Sequence, residues 1–405
     1  MRRYESYKDS GVEWLGEVPH CWDVKKVKNI FHLIAEPAAK NNQCELLSVY
    51  TDIGVKPRAE LEERGNKAST TDGYWIVKKG DIVVNKLLAW MGAIGLSEYD
   101  GVTSPAYDIL RPHQQINGKF FHYLFRTPLC LSEFKKNSRG IMDMRLRLYF
   151  EELGNIYIPF PSYPEQQKIA QFLDDKTAKI DQAVDLAEKQ IALLKEHKQI
   201  LIQNAVTRGL NPDVPLKDSG VEWIGQVPEH WEVKKIKAFA KINNGLDYKT
   251  VIAEEGYPVY GSGGQFAYAN TYLYDGEAVL LGRKGTIDKP LYINDKFWTV
   301  DTMFYSVCNN KVSTKFFYYC CCSIIPFQYY STSTALPSMT QSDILNHKVT
   351  FPLLKEQYQI ADYLDIQTAK IDQAITLKTA HIEKLKEYKS VLINDVVTGK
   401  VRVSV

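Results

Sequence analysis

The sequence predicts an α+β protein written twice: two globular α+β domains separated by two long antiparallel coiled-coil helices, the halves related by a pseudo-two-fold axis. Three observations carry this. A lead-in recurs, KDSGVEWLGEVPHCWDVKKVK at 8–28 and KDSGVEWIGQVPEHWEVKKIK at 217–237, with 15 of 21 positions identical. A helical block recurs at 165–207 and 356–398, with 23 of 43 positions identical and TAKIDQA unbroken at 177–183 and 368–374. Between these blocks lie segments 29–164 and 238–355, which are β-rich and share almost no sequence. What repeats is scaffold, and what differs is what the halves do differently.

In chain order the sequence divides into a first globule with its lead-in (1–164), a first long helix (165–210), a linker with the repeated lead-in and second globule (211–355), and a second long helix with a tail (356–405). In the first globule YWIVKKGDIVVNK (74–86) reads as strands around a turn, and GKFFHYLFRTPLCLSEFKK (118–136) as helical. The first long helix follows a proline-containing stretch and stops near Arg208-Gly209, with Pro212 and Pro215 beyond. Its apolar seam runs through Leu173, Ile180, Val184, Ile191, Leu194 and Leu201, with Thr177, Ala187, Lys198 and Ala205 completing an alternating four-and-three spacing. That is a heptad. In the second globule YPVYGSGGQFAYANTYLYDG (257–276) reads as short strands joined by glycine turns, EAVLLGRKGTI (277–287) as a strand and turn, and STKFFYYCCCSII (313–325) as a helix. LPSMTQSDIL (336–345) is a turn and short helix returning the chain to the second rod. There the same heptad slots hold Leu364, Ile371, Ile375, Ile382, Leu385 and Leu392, with Thr368, Lys378, Lys389 and Val396. Forty-three residues of helix make a rod of ~64 Å, and the simplest partner for each rod is the other.

Composition narrows the function. The chain has 405 residues, 45% hydrophobic and 24% charged, as in a soluble, core-forming protein. No apolar stretch approaches the roughly 18 residues of a membrane span, and MRRYESYKDSGVEW lacks the apolar core of a signal peptide, so the expected location is the cytoplasm. The seven cysteines include no CxxC pair and no zinc-type Cys/His spacing, so they read as reduced thiols and no metal site is expected. No phosphate loop, no HExxH, no GxSxG and no Asn/Asp-Pro-Pro-aromatic tetrapeptide is present; the chain is expected to be non-catalytic and to bind no cofactor of its own. GSGG (261–264) lacks a following amphipathic helix and reads as a β-turn.

Net charge is only +2, so any nucleic-acid contact must come from local patches. KKNSRGIMDMRLR (135–147) holds Lys135, Lys136, Arg139, Arg145 and Arg147 against Asp143, a composition that suits phosphate contacts; a solvated charged face is the plain alternative. Arg283 and Lys284 sit in a GRKG turn from which an arginine can reach guanine. At the corresponding place in the first globule stand Lys86 and, in NKLLAWMGAIG, Trp90. Tyr248, Tyr260 and Ser262 lie among Gly and Asn residues where loop tips are expected, and the run 329–334 offers hydroxyls, Ser331 and Thr332 among them.

The doubled KDSGVEW(L/I)G(E/Q)VPxxW lead-in, the EQxxIAx(F/Y)LDxxTAKIDQA helix openings, the linker TRGLNPDVPLKDSGVEWIG, and the strings GDIVVNKLLAWMGAIG and LLGRKGTIDKPLYI resemble the specificity subunit of type I restriction–modification enzymes over nearly the whole length. The resemblance implies two target recognition domains, each reading one half of a split, asymmetric site in double-stranded DNA, with the helices as a ruler. It also implies two modification (methyltransferase) subunits bringing S-adenosylmethionine for adenine methylation, and restriction (translocase/nuclease) subunits bringing ATP and Mg. One departure is that the first globule lacks the GRKG arginine of the second. The rival reading is a protein-binding scaffold with two unlike heads on a coiled-coil rod.

Overall fold

In the computed structural model of the chain, residues 2–60, 71–284, 287–323 and 338–403 are described. They form two compact units, Met1–Leu186 with His381–Val405 and Ala187–Ala380. Each unit takes one globule together with half of each long helix.

The first unit is built on a four-stranded antiparallel sheet, in the order Phe31–Ile34, Tyr107–Pro112, Ile82–Asn85, Ile94–Leu96. Ile82–Asn85 is buried throughout because both its faces are covered. Ile82 and Val84 face a core with Phe31, Phe120, Phe121 and Phe125, while Val83 faces a second core with Leu47, Val49 and Val55. The helical stretch is two helices, α1 (Gly118–Phe125) and α2 (Pro128–Lys136). The break follows from Thr127, whose side chain caps Cys130 N, and from Pro128 in the first turn. A short α3 (Phe150–Leu153) and strand Tyr157–Phe160, paired with Asp23–Lys26 of the lead-in, return the chain to the 46-residue α4 (Tyr163–Arg208).

The second unit carries a seven-stranded sheet in the order Ala240–Asn244, Met303–Cys308, Tyr274–Gly282, Leu291–Thr299, Tyr257–Gly261, Gly264–Ala269, Ile252–Ala253. Its first four strands repeat the order of the smaller sheet, and the other three extend it. The GSGG segment is the expected turn, joining Tyr257–Gly261 to Gly264–Ala269 with Gly264 at φ +105°. α5 (Thr314–Ser323) buries Phe316, Phe317, Cys320 and Cys321, and α6 (Gln341–Asn346) opens with a Thr340/Asp343 capping box. The 44-residue α7 (Leu354–Val397) follows.

The heptad seam is the buried stripe of both long helices. In the first unit Leu173, Ile180 and Val184 of α4 share a core with Leu385, Leu392 and Val396 of α7. In the second unit Lys198 reaches Asp372 at 2.7 Å and Lys378 reaches Gln190 at 2.6 Å, so numbering rises along α4 as it falls along α7. The helices are antiparallel. Lys389 reaches Asp181 at 2.7 Å in the first unit just as Lys198 reaches Asp372 in the second. Each aspartate belongs to a TAKIDQA repeat. These pairs are partly exposed and worth about 0–1 kcal/mol each, so they fix register more than they stabilise.

Both long helices stop at a left-handed glycine, Gly209 at φ +75° and Gly399 at φ +80°. A Cβ on either would come within 3.1 Å of a lead-in tryptophan ring, Trp231 and Trp22 respectively. In the first unit the segment after Gly399 pairs with the start of the chain, Arg402 N donating to Arg2 O at 2.8 Å and the Tyr7 hydroxyl to Lys400 O at 3.2 Å.

Candidate nucleic-acid interface

Each globule is held on its helix by the same set of bonds, which explains the repeated helix openings. The fully buried Gln166 accepts from Asn117 N at 2.9 Å and donates to Pro161 O at 2.9 Å. Its repeat Gln357, also fully buried, accepts from Ser313 N at 2.8 Å and donates to Pro352 O at 2.9 Å. Just over two helical turns along, Asp174 receives Lys119 and the Tyr123 hydroxyl, and Asp365 receives Lys315 and the Tyr319 hydroxyl. The donors come from KFFHY (119–123) and KFFYY (315–319), a repeat inside the segments that otherwise differ. Its offset of 196 differs from both larger repeats, so a comparison at fixed offset passes over it. Burial and the neighbouring carboxylate push both tyrosine hydroxyls well above their ordinary range, so they stay protonated and donate to the aspartates.

The framework presents one strand end in the same way in both units. After Ile82–Asn85, Lys86 O accepts from Leu148 N at 2.9 Å; after Tyr274–Gly282, Arg283 O accepts from Met339 N at 3.0 Å. Lys86 and Arg283 therefore do correspond, as the sequence suggests, but their side chains behave differently. The Lys86 ammonium turns inward to Asp108 (3.1 Å) and Pro105 O (3.3 Å). Burial raises the Asp108 carboxyl above its ordinary pKa, a rise that Lys86 opposes. Lys86 is thus a structural cation. Arg283 is exposed; among the described residues its guanidinium donates to Asp301 O at 3.4 Å and lies 5.8 Å from the Phe304 ring centre. Lys284 beside it is exposed and bridges by backbone to Ser338.

In the first unit a short hairpin stands next to this strand end. Arg139 and Arg147 exchange two backbone bonds of 2.9 Å, and Leu146 and Leu148 are buried beneath. The basic run divides here into two kinds. Lys135 pairs with Asp143 at 2.7 Å and lies 4.8 Å above the Trp90 ring, Lys136 pairs with Glu133 at 3.7 Å, and Arg139 pairs with Glu152. Arg145 and Arg147 are exposed and have no ion pair among the described residues. Trp90 is fixed by donation from its ring nitrogen to Leu87 O at 3.1 Å. In the sequence these cations look alike; which of them the nearby carboxylates Glu133, Asp143 and Glu152 engage is set by the fold.

In the second unit the remaining candidates lie on the sheet extension. Tyr248 is half-buried, edge-on to Phe266 at 5.1 Å, and Tyr260 is half-buried against Phe297, with Ser262 in the following turn. Ser331 and Thr332 lie outside the described residues. The fold adds aromatics that the sequence reading did not single out: Phe266 and Tyr268, exposed on alternate positions of one strand, and Tyr272, with Lys296 4.9 Å from its ring centre. The alternation in QFAYA, with Ala267 and Ala269 on the inner face, is the signal that marks them.

Nothing in the described residues points to catalysis at either strand end. Burial pushes the Cys130 thiol up to about 12, Cys308 to about 12 and Cys322 to about 11, which keeps them protonated near neutral pH, whereas Cys21 and Cys44 are exposed. No group of His, Cys, Asp and Glu among the described residues could hold a metal, and no described helix is long and apolar enough to cross a membrane.

Two unlike basic-aromatic heads on a duplicated helical framework define a bipartite recognition scaffold. The family model for the type I restriction modification DNA specificity domain matches residues 19–195 and 228–387, and the chain belongs to this family of non-catalytic DNA sequence-recognition subunits. It is 25% identical to the type I restriction enzyme MjaVIII specificity subunit of Methanocaldococcus jannaschii, over 95% of this chain and 94% of the relative. It is 23% identical to the type I restriction enzyme EcoKI specificity subunit of Escherichia coli, over 60% of this chain and 54% of that one. Its fold resembles the HsdS subunit from Thermoanaerobacter tengcongensis, with a TM-score of 0.55 at 14% identity over 95% of this chain and 98% of that one. It also resembles a chain solved in work on assembly and conformational transition of the type I R-M system, with a TM-score of 0.73 at 13% identity over 95% and 99%.

Proposed function

We propose that each unit reads one half of a split, asymmetric sequence in double-stranded DNA, with the first-unit contacts on the hairpin Arg139–Arg147 and the second-unit contacts on Arg283, Lys284 and the aromatic sheet extension. The observation that carries this is the matched strand end: Lys86 O and Arg283 O are held by equivalent backbone bonds, while the side chains around them differ completely. A common mount with unlike rims is what two unlike half-sites require. Arg145 and Arg147 are the phosphate contacts of the first half-site, since their guanidinium groups are free to reach DNA. Arg283 is the base-reading candidate of the second, because an exposed guanidinium can make the bidentate contact to guanine.

The long helices, 46 and 44 residues, correspond to rods of ~69 and ~66 Å and to a ruler of at most about 20 base pairs. In this reading two modification subunits dock on the repeated regions and bring S-adenosylmethionine for adenine methylation, and restriction subunits bring ATP and Mg for translocation and cleavage. The relatives' names, as specificity subunits of type I restriction enzymes, support that assembly. The test is to co-express the chain with the modification subunit encoded beside it and map methylated adenines genome-wide. A single split motif, lost when the chain is omitted, is expected. Methylation at that motif without the chain would refute the proposal.

A further inference from the structure

The hairpin beside Lys86 carries a feature that phosphate contact does not explain. Its tip exposes Ile141 at 99% and Met142 at 60% of their surfaces. Among the described large apolar residues that are exposed, none approaches Ile141; Leu353, at 68%, comes next. A loose loop would account for such exposure, but this tip is tied down on every side. The Arg139–Arg147 backbone pair closes its base, Leu146 and Leu148 anchor it from below, and the Lys135–Asp143 ion pair joins it to α2 above Trp90. Two exposed arginines, Arg145 and Arg147, follow it on the returning arm and have no ion pair among the described residues. A tethered apolar point beside exposed cations is complementary to one kind of partner surface, a stack of bases bordered by phosphates.

Resting on the DNA-reading role above, we propose that Ile141 and Met142 form a wedge that enters a base step of the first half-site and kinks the duplex there. Apolar side chains inserted in this way unstack one step and bend DNA by about 20–90°, while flanking arginines hold the adjoining phosphates. The cost of unstacking differs between base steps and is lowest at pyrimidine–purine steps. The wedge therefore adds selection for a deformable step at a position where no hydrogen bond reads a base.

The test uses the complex of this chain with its modification subunit and a cognate duplex carrying end fluorophores and 2-aminopurine at successive positions. Apart from the adenines flipped out for methylation, the wild-type complex should brighten 2-aminopurine at one step of one half-site and shorten the end-to-end distance. The I141S/M142S variant should lose both signals and about tenfold in affinity, with assembly retained and the half-sites unchanged except for a relaxed preference at the wedged step. I141L/M142L should keep both signals. An unchanged 2-aminopurine response in the serine variant overturns the wedge, and so does loss in the leucine variant. Failure of the serine variant to assemble with the modification subunit would make the tip a protein contact and also overturn it. A wild-type complex that binds its site without bending it refutes the wedge alone, whereas one with no sequence preference refutes the DNA reading beneath it.

Discussion

Replacing Gln357 by alanine should release α5 from the long helix. The side chain has no solvent exposure and serves three backbone groups: Ser313 N at 2.8 Å, Pro352 O at 2.9 Å and Lys311 O at 3.3 Å. Water cannot replace it without opening the site, so Ser313 N and Pro352 O each lose their partner at about 1–3 kcal/mol. The expected loss is about 2–6 kcal/mol. It falls first on the start of α5, because Ser313 N lies one residue before that helix. Hydrogen exchange followed by mass spectrometry is the fitting assay, since a two-unit chain need not unfold in one step. A local loss of 3 kcal/mol should speed exchange of the α5 amides by about 150-fold. Gln359→Ala, at an exposed position of the same helix, should change nothing. Exchange in α5 altered by less than about threefold would show that the buried glutamine does not hold the globule to its helix. The equivalent Gln166→Ala change, with Asn117 N and Pro161 O as partners, should act on α1 in the same way.

Arg283→Ala should relax recognition at one base pair of one half-site at a cost of about 1–3 kcal/mol, and an unchanged methylation motif would remove Arg283 from the readout. Reversing Arg145 and Arg147 to glutamate should weaken binding to cognate and unrelated DNA alike, and each lost phosphate contact should flatten the salt dependence of affinity by about one unit of slope; a loss confined to the cognate site would contradict a phosphate role. His122 gives a pH dependence. It is half-buried beside Arg126, Leu96 N donates to its Nδ1 at 3.3 Å, and desolvation pushes its pKa down to about 4. The unfolded chain then takes up a proton that the folded unit refuses, so stability is complete above about pH 6.5 and declines towards pH 4, by roughly 3 kcal/mol. Denaturation of wild type and His122→Gln at pH 7 and pH 5 checks this, and an equal decline in both would exclude His122 as its source.

The duplication and the helix seam were open to sequence reasoning because both are periodic. A side chain recurring every seven residues records the direction of burial without reference to anything distant, and every seam position from Leu173 to Ala205 is buried or half-buried. The rim of each head was harder. Whether a cation is free depends on a carboxylate that only folding brings near. Asp108 is 22 residues from Lys86, and Glu152 is 13 from Arg139. Counted as charge, Arg139 and Arg145 are alike; among the described residues one is ion-paired and the other is not. Ile141 and Met142 were hidden for a related reason, since an apolar pair inside a basic run carries no mark of being turned outward. The KFFxY anchors were visible in principle and were obscured by insertions that shifted their offset.

The pairing of Arg2 with Arg402 bears on how the protein is made. The first unit needs α7 residues that leave the ribosome only after the whole of Ala187–Ala380, roughly 200 residues later. At about 5–20 residues per second, Leu173 and Ile180 wait some 10–40 s for Leu392 and Val396. The second unit, although later in sequence, is complete first and is continuous along the chain. Throughout that interval the half-built first unit carries an uncovered apolar stripe in the cell. The most dangerous moment for aggregation therefore comes during synthesis, and a nonsense mutation near residue 385 would damage the head encoded first while sparing the one encoded second.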